Sequence, residues 1–260
     1  MRVINNDSRS RPDPIAYLDH VAASTAGRDY KQQVLELLDL HPGQAVLDIG
    51  CGPGTDLAAM AAAVAPAGQV IGVDRDPVMI AEARARLAEH PLVEIRSGDV
   101  HALPLDDGSV DRARTDRVLQ HVADPAQVLA EFRRVARPGG RVVMAEPDWE
   151  GLLIDSPQPA MSRALVRFLV AEIIRNATIG RSLARVCGEA GLVVRSVATA
   201  APVFRDFTTA DHVFGLRRNV TRAVDAGYLT PDAEGWIDDL SSQPFLASAL
   251  LFLVVAEIPG

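Results

Sequence analysis

Lysine is all but missing from this chain: of 26 cationic residues in 260, Lys31 is the single lysine and 25 are arginine. That bias is read as a coding preference and carries no function. Positive charge as a whole is also short, with 34 Asp and Glu giving a net charge of −8, and no basic run occurs. An acidic chain gains no overall counterion-release affinity from phosphates, which argues against wrapping duplex DNA or an RNA helix. Cysteine is scarce too: Cys51 and Cys187 stand far apart in unlike contexts, which excludes a disulfide framework and favours a reducing cytosol. Long apolar runs are absent, since the most apolar stretch, Leu246 to Ile258, is too short to span a bilayer. The opening MRVINNDSRSRPDP lacks the apolar centre of a secretion signal. No His, Cys and Asp cluster has metal-ligand spacing, so no metal is expected. Together these absences predict a soluble, cytoplasmic protein with neither a membrane nor a nucleic acid as partner.

What is present is an ordinary globular balance, 48% hydrophobic and 23% charged, enough for one domain with a sizeable core. From residue 45, short β-branched runs alternate with helical stretches: AVLDIG, PGTDLAAMAAAVA, VIGVD, DPVMIAEARARLAEH and LVEIRSGD. This rhythm predicts βαβαβ, an α/β fold with a parallel sheet covered on both faces. Further strands are expected at Asp111 to Asp116, Arg141 to Asp148, Val193 to Phe207 and Ser248 to Ile258, about seven in all. Before Arg141, Val128, Leu129, Phe132 and Val135 fall at helical spacing, and Pro138-Gly139-Gly140 ends that helix. Three segments, 14–40, 151–176 and 208–243, stand outside the rhythm, and each reads as one or two helices. Ligands of open α/β sheets lie beyond the carboxyl ends of the strands, so helices inserted there would cover a site and choose the substrate.

The strongest motif is Val46-Leu47-Asp48-Ile49-Gly50-Cys51-Gly52-Pro53-Gly54-Thr55, a buried strand running into a glycine-rich turn and a helix. The glycines allow a tight turn and close approach of a ligand. The spacing is G-x-G-x-G, with Thr55 where a dinucleotide fingerprint would have its last glycine, so a pyrophosphate cradle is weakened. Twenty residues after Gly54, the strand Val70-Ile71-Gly72-Val73 ends in Asp74, a carboxylate placed to accept both hydroxyls of a ribose. The third strand ends in Ser97-Gly98-Asp99-Val100, where an Asp can accept from an exocyclic amine and a backbone N–H can donate to a ring nitrogen. The three features together describe an adenosine site.

The runs VLDIGCGPGTD, VIGVDRDPVMIAEAR, SGDVHALPLDDGSVD and RTDRVLQHVADPAQVLAEFRRVARPGG resemble the class I S-adenosylmethionine-dependent methyltransferases. The nearest likeness is to the branch holding the ubiquinone and menaquinone enzymes and many small-molecule methyltransferases of natural-product pathways. It covers residues 43–150, and the segment from Ser248 to Pro259 resembles the final antiparallel strand of that family. The resemblance implies a Rossmann-like, seven-stranded sheet with helices on both faces and a helical cover. The chain would be a single domain: N-terminal cover at 14–40, cofactor-binding core at 43–150, and a substrate lid from 151–176 and 208–243. It implies S-adenosylmethionine as cofactor and S-adenosylhomocysteine as product. Gly50, Cys51 and Gly52 would pass under the methionine part, with Asp48 supporting that loop. Asp74 would hold the ribose, Arg75 and Met79 would border the adenine, Gly98, Asp99 and Val100 would form its edge, and Thr115 would reach the methionine moiety through its backbone. Cys51 sits near a helix start, where a reactive thiol is conceivable, but the motif needs only a small residue there.

A sulfonium is already an activated electrophile, so such a protein mostly aligns a nucleophile with the S–CH3 bond and excludes water; a base is optional. His121, after the fourth strand, is the first candidate base, and a hydrogen-bonded residue at a helix start is the other reading. His20, with Tyr17 one helical turn before it, could face the cofactor or the acceptor from the N-terminal cover. Glu146, Asp148 and Trp149 end the fifth strand, where they could orient an acceptor or stack on it. Arg117 and Arg181 could bind carboxylates. The function expected is direct in-line methyl transfer to O, N or C of a small molecule, in secondary metabolism, by a monomer or homodimer. Alternatives left open are a fold that binds the cofactor without methylating, as a cyclase or regulator, a macromolecular methyltransferase, and an NAD-linked oxidoreductase disfavoured by Thr55 and Asp99.

Overall fold

The computed structural model describes residues 14–23 and 25–260. Five parallel strands form the motif-bearing half of the sheet: β1 (Ala45–Ile49), β2 (Gln69–Asp74), β3 (Val93–Ser97), β4 (Val110–Asp116) and β5 (Ala136–Ile154). β6 (Val193–Ala200), the short β7 (Val203–Phe204) and β8 (Ala247–Glu257) complete it, in the order β3-β2-β1-β4-β5-β8-β6 with β7 beside β8. β8 runs antiparallel to both β5 and β6, as expected of the last strand. The order reverses between β1 and β4, and that is where a ligand crevice forms in an open α/β sheet.

Alternation along β1 divides the core. Leu47 and Ile49 pack with Val128, Leu129 and Phe132 of α5 (Pro125–Val135) and Leu183 of α7 (Ile179–Glu189). Val46 packs on the other face with Val34 and Leu38 of α2 (Thr25–Leu38) and Leu57 and Met60 of α3 (Leu57–Val64). Asp48 shares that second face, a carboxylate 2% exposed that lies opposite the equally buried Arg114 of β4. Two Asp-Pro pairs start helices by the same device. The Asp76 side chain accepts from Val78 N ahead of α4 (Pro77–Arg86), and Asp124 accepts from Ala126 N and Gln127 N ahead of α5, while the proline at N1 lacks an N–H that would go unpaired.

Three expectations are corrected. The sheet has eight strands, because Pro202, which has no N–H for the ladder, falls in the break between β6 and β7. Residues 151–154 extend β5 past a bulge instead of starting a helix, since the first residues of β8 offer a partner: Leu153 pairs with Ser248 and Ile154 with Ala247. The late insertion holds three helices, α8 (Phe207–Phe214), α9 (Leu216–Asp225) and α10 (Ala233–Ser242), the first two joined at Gly215 in the left-handed conformation. The earlier insertion is α6 (Pro159–Phe168) followed by a π-helical turn at Leu169–Ile173. α1 (Pro14–Ala23) and α2 form the N-terminal cover, and α1 touches α8. Among the described residues no helix is long and apolar enough to cross a membrane, and no group of three His, Cys, Asp or Glu side chains is placed to hold a metal ion.

Candidate active site

The turn after β1 is shaped by contacts that only glycine permits. Gly50 has φ +64°, and a Cβ there would lie 2.4 Å from Val118 Cγ2. Its amide and that of Cys51 donate to Val73 O at 2.7 and 3.2 Å, which binds the turn to β2. Gly52, at φ +55°, donates to Asp74 Oδ2 at 2.9 Å, while Asp74 Oδ1 accepts from Asp76 N at 2.9 Å. The Asp74 carboxylate is thus fixed by one amide on each oxygen at the end of β2. Around it opens a cleft of about 300 Å³, floored by Gly50 and Gly52 and walled by Leu18, Arg75, Met79, Val100 and His121.

The other residues expected here are distributed unevenly. Asp48 lies outside the cleft: it accepts from Arg114 Nε at 3.0 Å, and burial raises its pKa to about 6 against the pull of Arg114. Its link to the glycine turn runs through Arg114, which also bonds Asp56 at the end of that turn, while the β2 carbonyl of Val73 holds the turn directly. Cys51 is buried behind the turn, and burial, with Asp48 and Asp74 adding to it, pushes its thiol well above the usual range, the opposite of what a thiolate nucleophile needs. Thr115 is fully buried, and Asp116 beside it is the β4 residue that reaches the cleft. Gly98 packs against Pro104. Asp99 sits exposed at the outer lip, where its Oδ1 accepts from His101 N at 2.9 Å and meets His101 Nδ1 at 2.6 Å, so Val100 and His101 provide the wall. His121 lines the cleft; desolvation by the wall, with Arg117 and Arg75 nearby, lowers its pKa and leaves a neutral imidazole at pH 7. Tyr17 and His20 belong to α1, but their side chains lie outside the described residues.

Beneath the cleft runs a chain of charges that the motif reading missed. Arg114 joins Asp48 to Asp56, and Lys31 Nζ joins Asp56 at 2.5 Å to Asp116 at 3.1 Å. Tyr30 donates to Asp116 Oδ2 at 3.2 Å, and Arg117 Nε lies 3.3 Å from Asp116 Oδ1. Desolvation would raise Asp116, but Lys31, Arg117 and Arg114 outweigh it and hold the carboxyl far below its ordinary value. Asp116 is therefore a fixed anion and a poor base. The single lysine of the chain ties α2 to both the glycine turn and the tip of β4. That joint brings together residues 25 and 85 positions apart, which is why no local pattern reveals it.

Glu146 plays a similar structural part. It is fully buried and accepts from Val118 N, Leu119 N and Gln120 N at 2.8, 2.7 and 3.2 Å, clamping the loop after β4, although burial pushes its carboxyl up to about 8. Asp148 is occupied by Arg181, through Nε and through NH2 at 2.7 Å. Neither carboxylate is left to orient a ligand. Gln120, placed by the Glu146 clamp, accepts from Trp149 Nε1 at 2.7 Å. Trp149, Tyr30, Phe204, Phe214 and Leu251 then line a second, mostly apolar chamber of about 60 Å³ that is partly open and is bordered by Asp148 as well. Arg117 and Gln120 border both spaces, so the chamber adjoins the cleft through them.

The cleft fits S-adenosylmethionine on its own geometry. A glycine floor with no Cβ, a fixed carboxylate at the rim and a Met79–Val100 slot suit a chain, a ribose and a flat base, and about 300 Å³ is at the lower end of ligand pockets. Comparison with known proteins points the same way. A family model described as a methyltransferase domain matches residues 40–189. An uncharacterized 37.1 kDa protein in transposon TN4556 of Streptomyces fradiae is 54% identical over 247 residues, 95% of this chain and 72% of that protein. Demethylmenaquinone methyltransferase of Shouchella clausii is 34% identical over 121 residues, 46% of this chain; the chain matches only 52% of that enzyme's length. The geranyl diphosphate C-methyltransferase of Streptomyces coelicolor A3(2), solved with Mg2+, geranyl diphosphate and S-adenosylhomocysteine, shares the fold at a TM-score of 0.59 and 15% identity, over 99% of this chain and 91% of that one.

Proposed function

The chain belongs to the methyltransferase-domain family, which uses S-adenosylmethionine, and from that premise we propose that it methylates a small, largely apolar molecule seated in the chamber beside the cleft. When bound, the cofactor supplies a methyl group already activated on a sulfonium. Gly50, Gly52 and Asp74 would hold its methionine and ribose parts, and Met79 with Val100 would take the adenine. Arg75 stands at the same wall.

The rest of the work falls to the covers. Tyr30 of α2 and Phe204 and Phe214 from β7 and α8 give the chamber apolar walls that would displace water around an acceptor, while Gln120 and Trp149 brace its floor against the β4 loop. Excluding water and fixing an approach line are what methyl transfer asks of a protein whose reagent is already activated. At about 60 Å³ and partly open to solvent, the chamber takes only part of an acceptor, and Phe214 would pack against that part. His121, neutral at pH 7, is the one imidazole described in the cleft wall with a lowered pKa, and it remains the candidate to receive a proton from an acceptor on that side.

The observation that supports a small acceptor is the placement of a small, mostly apolar chamber directly beside the cleft, with shared walls at Arg117 and Gln120. The same feature favours secondary metabolism, where acceptors with apolar bodies are common, over a macromolecular substrate. The test is a separation of the two spaces. Phe214→Ala, at a residue 6% exposed, opens the chamber. It is expected to reduce methyl transfer to low-mass acceptors by at least about tenfold, the equivalent of roughly 1.4 kcal/mol, while the Kd for S-adenosylhomocysteine stays unchanged. Equal activity in the variant would remove the chamber from the reaction.

A further inference from the structure

Resting on that reading for the ligand of the cleft, we propose that Asn176 is a positioning residue: its carboxamide fixes the loop after β4, residues 117–122, against the bound cofactor. That loop gives Arg117, Val118, Gln120, His121 and Val122 to the cleft wall, and Arg117 and Gln120 to the chamber as well. It lies between β4 and α5 in neither helix nor strand, so its backbone groups have no regular ladder to join. Leu119 and Gln120 are nonetheless buried, where an unpaired backbone group is costly.

Two side chains from distant segments supply the partners. Glu146 takes the N–H groups of Val118, Leu119 and Gln120. Asn176 takes the carbonyls: its Nδ2 donates to Leu119 O at 2.7 Å and to Val122 O at 2.9 Å, and its own amide donates to Gln120 O at 3.1 Å. The remaining pair, His121 N to Val118 O at 2.9 Å, closes within the loop. Every backbone N–H and C=O from Val118 to Gln120 is thereby paired. An amide NH2 has two hydrogens to spread over two carbonyls, whereas a carboxylate of the same shape has none.

The second observation is what Asn176 is fastened to. A π-helical turn, Leu169–Ile173, stands just before it, a form that recurs at functional sites. Tyr228 of the late insertion grips that turn from above, its hydroxyl donating to Glu172 Oε1 at 2.8 Å and its ring meeting Phe168 at 5.4 Å. The residue after Asn176 holds the chamber wall, since Trp149 N donates to Ala177 O at 2.9 Å while Trp149 Nε1 donates to Gln120 Oε1 at 2.7 Å. Asn176 and Ala177 therefore secure both partners of the bond that joins cleft wall to chamber wall. The helical cover is tied to the same stretch, so loop, chamber wall and cover keep one register, as alignment of a methyl donor with an acceptor requires.

The test uses Asn176→Asp, which keeps the shape of the side chain and removes both donors, in protein carrying 15N-labelled tryptophan, with S-adenosylhomocysteine as the ligand. The chain has two tryptophans, and Trp236, which donates to Ser156 Oγ and lines neither space, is the internal control. In the variant the Trp149 indole hydrogen should exchange with solvent at least about tenfold faster while that of Trp236 keeps its rate. The Kd for S-adenosylhomocysteine should rise about tenfold, with Asn176→Ala, which adds no charge against the two carbonyls, between parent and Asp. Gly191→Ala, strained at φ +77° just past α7, lowers stability without touching the loop and should leave both readouts at their parent values. A folded Asn176→Asp protein with the parent Kd, an unchanged Trp149 hydrogen, or equal loss at Trp236 overturns the assignment, as do the same changes in Gly191→Ala. Neither readout needs an acceptor, so methyl transfer to macromolecules alone would overturn the proposed function and leave this assignment standing.

Discussion

Asp74 offers the sharpest use of the site geometry. Both of its oxygens accept a backbone amide at 2.9 Å, Oδ2 from Gly52 and Oδ1 from Asp76. In Asp74→Asn the side chain keeps its shape, but its NH2 must face one of those N–H groups, so one bond is lost and the charge disappears. Hydrogen bonds to a charged group contribute about 1.5 to 3 kcal/mol. If the carboxylate holds the cofactor ribose, the Kd for S-adenosylhomocysteine should therefore rise about 10- to 150-fold at a tenfold change per 1.4 kcal/mol. Asp74→Ala removes both amide acceptors and should weaken binding at least as much, with an added loss of stability of about 1 kcal/mol from the loosened turn. Titration calorimetry on both variants, after circular dichroism shows them folded, gives the numbers. A folded Asp74→Asn protein with the parent Kd would refute the reasoning and remove Asp74 from the site.

Three other perturbations follow from the same contacts. Gly50→Ala places a Cβ 2.4 Å from Val118 Cγ2 at φ +64°; it should cost more than the 1 to 2 kcal/mol, roughly, of the left-handed strain alone, read by urea unfolding, and unchanged stability would contradict the geometry. Arg114→Met leaves Asp48, 2% exposed, without its partner while Asp56 keeps Lys31, so unfolding free energy should drop by about 3 to 5 kcal/mol, and a loss below about 1 kcal/mol would argue against a buried ion pair. Asp116 is held below its unfolded value by Lys31, Arg117 and Arg114 against desolvation, so its contribution is present above about pH 4 and is lost as acid protonates it. The stability gap between the parent and Asp116→Asn should accordingly be widest near pH 7 and shrink below pH 4; a gap that grows on acidification has the wrong sign for this assignment.

How far the sequence carries these conclusions depends on whether the determining contact is local. The βαβαβ rhythm from residue 45, the glycine turn and Asp74 were legible because strand, turn and helix follow each other directly, and the turn needs glycine at Gly50 for reasons visible in its own backbone. β8 was legible as the most apolar run of the chain, and its antiparallel sense came from the family resemblance. Residues 151–154 were misread as helix because their strand character comes from pairing with Ser248 and Ala247 nearly a hundred residues later. Asp48 and Thr115 sit in or beside the motifs, yet the pleat turns Thr115 to the opposite face from Asp116, and Asp48, on the same face as Asp116 but deeper along the strands, meets Arg114 instead of the cleft. Of the chamber only Trp149 and Asp148, at the end of the fifth strand, were legible as an acceptor wall. Tyr30, Trp149, Phe204 and Phe214 come from four separate elements or their ends, and only the folded chain gathers them. Lys31 was visible as a lone lysine, a rarity that pointed nowhere until its two carboxylate partners were known.

The most direct test of the central claim is to incubate the protein with methyl-labelled S-adenosylmethionine and an extract of its source cells, separate small from large molecules by filtration, and follow the label. The expected result is label in the low-mass fraction together with S-adenosylhomocysteine, carried by an acceptor whose mass rises by one methylene. Label confined to the macromolecular fraction, or cofactor binding with label in neither fraction, would contradict methyl transfer to a small acceptor in the chamber.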